Sequence, residues 1–115
     1  MKKRMKMKWL IIFVGVMCLF SQDVFAQENS DDAKEIFLAE KCQRCHSISA
    51  MNIDVTGQRV VSDLSAVGSR YTGEWLVKYM KREVAINGKK HIKNLKTSGA
   101  DIEKLANWLA TLNGK

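Results

Sequence analysis

The sequence has no proline, three cysteines and two histidines in 115 residues, and no apolar run long enough to span a bilayer. Each scarcity removes a class of protein. A tetrahedral zinc site takes about four ligands, and beyond Cys42, Cys45 and His46 the chain offers only His91, carboxylates and Cys18, which lies inside an apolar run near the N-terminus. A thioredoxin-like dithiol enzyme wants its Cys-x-x-Cys inside a βαβ pattern, and no strand pattern surrounds this pair. The longest apolar stretch, Trp9 to Phe20, has twelve residues, short of the roughly 20 that cross a membrane as a helix. There is no internal repeat or low-complexity segment, and no grouping of acid, base and nucleophile stands out as catalytic machinery.

What is present begins with a leader. Lys2, Lys3, Arg4, Lys6 and Lys8 form a basic region, Trp9 to Phe20 an apolar core, and Val24-Phe25-Ala26 a small-residue cleavage site. Residues 1–26 therefore read as a secretory signal peptide, with an uncleaved anchor as the lesser alternative, and the destination is the periplasm. Cys18 follows Val16-Met17 rather than small residues, so no lipoprotein is expected. Residues 1–26 hold five of the 19 Lys and Arg and one of the 12 Asp and Glu, so residues 27–115 carry a net charge of +3, not the +7 of the whole chain. That mild excess gives little case for nucleic acid. Cleavage also removes Cys18, leaving Cys42 and Cys45.

Residues 27–115 suffice for one domain, of a size that is marginal without a staple. Cys42-Gln43-Arg44-Cys45-His46 supplies one, because Cys-x-x-Cys-His is the pattern of covalent haem attachment. The two thiols add across two vinyl groups of the porphyrin edge, and the histidine that follows reaches the iron. Both remaining cysteines are thereby committed and no disulfide is possible. Without haem the chain is expected to fold poorly.

The flanking sequence reads as helices and loops. Gln27 to Ser30 looks like a disordered lead-in, and Ser30 with Asp31 and Asp32 like a helix start. The helix runs to about Lys41, with Phe37 its main apolar projection. Ser47 to Ser69 has no sustained period and reads as loop, with Val60, Val61 and Leu64 turned to the porphyrin. Thr72 caps a second helix over about Gly73 to Ala85, stopped by Asn87-Gly88. Ser98 and Asp101 resemble a capping box opening a last helix that ends at Asn113-Gly114.

These residues resemble class I cytochrome c across nearly all of 27–115. Ala33 to His46 is similar to that family's N-terminal helix and attachment motif. Leu64 to Thr72 with Glu74-Trp75-Leu76 resembles the approach to its middle helix, and Asp101 to Leu112 its C-terminal helix. The resemblance implies an all-α cytochrome c fold: three main helices with loops wrapped around one covalently attached haem c. It implies, too, that the terminal helices cross, bringing Ala33, Phe37, Leu105 and Trp108 together.

Two departures bear on the iron. The family has a proline after the motif, beside the carbonyl that orients the haem histidine; here there is none, and the acceptor for His46 is not identifiable. The family's axial methionine follows the middle helix, where this chain reads Gly88-Lys89-Lys90-His91-Ile92-Lys93. His46 is expected as proximal and His91 as distal ligand. Met80, better placed as a core residue, Met51, a lysine and an open iron are the alternatives. Imidazole favours ferric iron relative to thioether, so the potential should lie below that of a His/Met cytochrome.

Charge is unevenly spread. Lys78, Lys81, Arg82, Lys89, Lys90, Lys93 and Lys96 face only Glu83 between positions 78 and 96, while the first helix is acidic. The Lys78–Lys96 region is either a solvated face or a docking site for an acidic redox partner; Arg59 and Arg70 are candidates to pair with haem propionates. The expected function is an electron carrier, not an enzyme, with no small-molecule substrate. A gas-binding or sensing protein and the haem subunit of a larger enzyme are the alternatives.

Overall fold

Ala33 and Phe37, one helical turn apart, are both almost fully buried, which is the spacing that puts two side chains on one face of a helix. They belong to α1, helical over 29–39. A computed structural model describes residues 29–114, and Asp31–Lys115 form one compact unit. The expected leader and its cleavage site lie outside the described residues, as do Gln27 and Glu28 of the expected lead-in. Asn29 and Ser30 are already helical, so Ser30 sits within α1 and not at its cap. At the other end Lys41 takes a left-handed conformation (φ 58°) and breaks the helix. A single 3₁₀ turn, Cys42–Arg44, follows directly.

The stretch read as loop is more ordered than its composition suggests. β1 (His46–Ser47) pairs in parallel with β2 (Ser62–Asp63), His46 opposite Ser62. Ile48 and Ile53 form an isolated bridge and are both buried. Asp63 then ties the segment together: its carboxylate accepts from Ser47 Oγ (2.9 Å), Ser49 N (3.2 Å) and Ser65 N (2.8 Å). These partners come from both arms of the loop, so one exposed carboxylate replaces a missing strand period.

Thr72 caps α2 (Gly73–Met80) by accepting from Trp75 N at 3.2 Å. This helix is shorter than the expected Gly73 to Ala85. Arg82 N donates to Tyr79 O and Glu83 N to Lys78 O, with Arg82 left-handed at φ 63°, the paired bonds of a Schellman ending. The usual glycine signal is absent because arginine occupies the left-handed site. Asn87-Gly88, read as the helix stop, is instead the two-residue turn of a hairpin. β3 (Ala85–Ile86) pairs antiparallel with β4 (Lys89–Lys90), and φ is positive at both Asn87 (51°) and Gly88 (76°), as a type I′ turn requires.

α3 (Gly99–Ala110) opens on Ser98, whose hydroxyl accepts from Asp101 N at 3.2 Å. The Asp101 carboxylate takes a bond from Thr97 Oγ1 (2.6 Å), so the hydroxyl half of the capping box is present. Ile102, Leu105, Ala106, Trp108 and Leu109 are buried, and α3 packs on α2. The Phe37 ring meets Trp108 edge to face, centroids 6.0 Å apart at 71°. Ala33, Phe37, Leu105 and Trp108 share one core, and Lys104 pairs with Asp32 at 3.6 Å. Leu76 and Met80 of α2 complete that core. Among the described residues no helix is long and apolar enough to cross a membrane.

Candidate haem site

The end of α1 fixes where the motif lies. The 3₁₀ turn over Cys42–Arg44 closes with Cys45 N donating to Cys42 O at 3.2 Å, and both thiols are free. Burial pushes the Cys42 thiol up to about 11, with the Glu40 charge adding to the rise and the Lys93 ammonium opposing it.

His46 follows in β1, and the strand pairing supplies its acceptor. The Nδ1 of His46 lies 3.1 Å from the Ser62 carbonyl and 3.1 Å from the Ser62 hydroxyl. A carbonyl can only accept, so Nδ1 carries the proton and the Nε2 lone pair is left for a metal. Burial holds the His46 imidazole below its ordinary pKa; the Ser62 bond opposes this and His91 adds to it. A ligating imidazole must be neutral. Ser62 is the residue the sequence left unidentified. It does the work of the absent proline segment through its backbone, which no side-chain pattern announces.

His91 follows β4. Its Nδ1 lies 2.8 Å from the Lys93 carbonyl, so by the same argument its Nε2 is the free nitrogen. The two imidazole planes lie within 8° of parallel, with centroids 6.4 Å apart. A metal–imidazole bond of about 2 Å puts a ring centroid about 3 Å from the metal, so two axial imidazoles need roughly 6 Å between centroids. The observed centroid separation matches that spacing. Met80 is buried in the helical core and Met51 packs partly against it. Among the described residues no three His, Cys, Asp or Glu side chains converge on one point.

Two features frame the pair. Tyr71, Trp75 and Tyr79, spaced four apart on and just before α2, form a ladder of near-parallel rings at 4.2 and 5.2 Å. It ends with Tyr79 set edgewise against His91 at 5.3 Å and 70°. The large apolar side chains left exposed include Val60, Val61 and Ile92. Ile92 adjoins His91, and Val61 N donates to the Cys45 carbonyl at 2.9 Å, so apolar surface borders both histidines. A flat apolar macrocycle suits that setting.

A small helical unit with a thiol pair at one 3₁₀ turn and two imidazoles in near-parallel planes, 6.4 Å apart, defines a class: proteins built to grip a metal-bearing planar cofactor. The particular family follows from comparison. The family model for cytochrome c matches residues 30–113, and the chain belongs to the cytochrome c family, whose domain binds a covalently attached haem c. Comparison with curated proteins and with solved structures gives no match.

Proposed function

We propose that this protein is an exported electron carrier that holds one haem c through thioethers at Cys42 and Cys45, with His46 and His91 as the axial ligands. The observation that carries the reading is the near-parallel His46–His91 pair, 6.4 Å apart, each ring with Nδ1 on a carbonyl. Haem, when bound, supplies a one-electron couple at the iron. The chain's own contribution is to orient both nitrogens, keep the His46 imidazole neutral through its burial, and line the site with apolar side chains. Two imidazoles held in place by the chain would keep rearrangement on electron transfer small, which suits a carrier.

Residues 1–26 would direct export, and the Lys78–Lys96 region would receive an acidic partner. Lys78 and Lys93 already face Glu74 (3.9 Å) and Glu40 (3.7 Å). Lys81, Arg82, Lys89, Lys90 and Lys96 are exposed and would do the steering, so electron exchange should slow steeply with added salt.

The decisive measurement is the reduced spectrum with and without carbon monoxide. An unchanged six-coordinate low-spin spectrum is expected; prompt carbon monoxide binding would make this a gas-binding protein instead. The potential should lie below that of a His/Met cytochrome, and an oxidised-state thioether band would overturn the ligand assignment.

A further inference from the structure

Segment 91–97 contains no helix or strand, yet His91 is held nearly parallel to a ring 45 positions earlier in the chain. One side chain spans the gap. Lys93 Nζ donates to the backbone carbonyl of Glu40 and lies 3.7 Å from Glu40 Oε2. Its own carbonyl is the acceptor for His91 Nδ1. Glu40 stands two residues before Cys42, at the C-terminal end of α1, where carbonyls lack intrahelical donors and the helix dipole favours a cation. The Glu40 side chain is 16% exposed and the Lys93 side chain 42%, so solvent screens the ion pair in part, while the charged donor strengthens the bond to the Glu40 carbonyl.

We infer that Lys93 is a positioning residue for the distal ligand: its ammonium clamps the 91–97 segment to the end of α1, and its carbonyl sets the His91 ring. The inference rests on reading His91 as an axial ligand. The clamp ties the distal loop to the segment that carries the thioether cysteines, so the haem edge and its distal ligand share one anchor. Partners that orient a metal-bound histidine typically govern its retention by 10–100-fold.

The test is carbon monoxide binding to the reduced, haem-loaded protein, followed by rapid mixing. Lys93→Gln should accelerate binding by about tenfold or more, because His91 leaves the iron more often. Glu40→Gln should act in the same direction and less strongly, since the Glu40 carbonyl remains. Lys93→Arg should restore the slow rate, and Lys34→Gln, an equal charge loss on the exposed side of α1, should leave it unchanged. If Lys93→Gln yields no loaded protein, Glu40→Gln decides the matter in the same assay. Prompt binding by His91→Ala with Lys93→Gln and Glu40→Gln both as slow as Lys34→Gln would overturn the clamp and leave the ligand assignment standing. A low-spin spectrum unchanged by His91→Ala would overturn both.

Discussion

The two histidines are held in opposite ways. His46 sits in a stretch closed by strand pairing, by the Ile48–Ile53 bridge and by the three bonds to Asp63. Its acceptor is a backbone carbonyl, which no single substitution can remove. His91 sits beyond a hairpin in an irregular segment whose long-range polar tie is one lysine. The proximal side is thus fixed by several backbone and carboxylate bonds, the distal side by one long-range charged contact beside the Tyr79 ring and the packing of Leu95 on the core. On the proposed ligation, such a division would hold the covalently attached cofactor firmly while leaving the far ligand to tune the iron.

Substitutions on each side should therefore fail differently. The largest effect should come from beneath both. Phe37→Ala removes the edge contact with Trp108 and a side chain only 1% exposed, at a cost of about 3–5 kcal/mol. Denaturation followed by helix content and by haem absorbance should shift together; a cost below about 1 kcal/mol would mean that the α1–α3 contact does not support the site.

Gly57→Ala breaks the proximal side alone. A Cβ there would run into the Arg44 carbonyl inside the motif, and overpacking of this kind costs about 1–3 kcal/mol. Stability should fall while carbon monoxide binding stays slow; faster binding would blur the contrast between the two sides.

Asp63→Asn sharpens it through pH. Its three donors hold the Asp63 carboxyl well below the usual carboxylate range. A carboxylate with a lowered folded-state pKa contributes stability above its unfolded value and loses it as pH falls through the folded one. Urea midpoints of the wild type and Asp63→Asn should be well separated near about pH 6 and converge below about pH 4. A separation that persists to low pH would assign the role to shape rather than charge. The smallest effect belongs to Asn87→Ala, which forces a side chain without local hydrogen bonding into φ 51° for about 1 kcal/mol. It should loosen the distal hairpin without moving the haem spectrum.

What the sequence could announce was local. Thr72 and Ser98 read correctly as caps because a hydroxyl three residues before its donor is a short-range signal. Phe37, Leu105 and Trp108 came together as the family resemblance implied. The attachment pentapeptide is a local signal too, and the structure sets His91, singled out by its place after the middle helix, beside His46. Ser62 was not legible, because its contribution is a carbonyl delivered by a pairing 16 residues away. Nor was the end of α2, where Arg82 adopts a backbone conformation usually signalled by glycine. Asn87-Gly88 is a strong turn signal, but the same dipeptide ends helices and closes hairpins; Val84, Ala85 and Ile86 tip it toward the hairpin. The Lys93 clamp was hidden for the same reason as Ser62: a contact spanning 53 positions leaves no local trace.

These separations also set an order of events in time. The two thiols stand three residues apart, so the attachment segment takes shape within one turn. The pairing of His46 with Ser62 waits for a loop of moderate length to close, and the Glu40–Lys93 contact for a far longer one, at a higher entropic cost. By that measure the distal loop is expected to dock after the proximal pairing and, having fewer ties, to open before it; faster hydrogen exchange at 91–97 than at 46–49 would report that order.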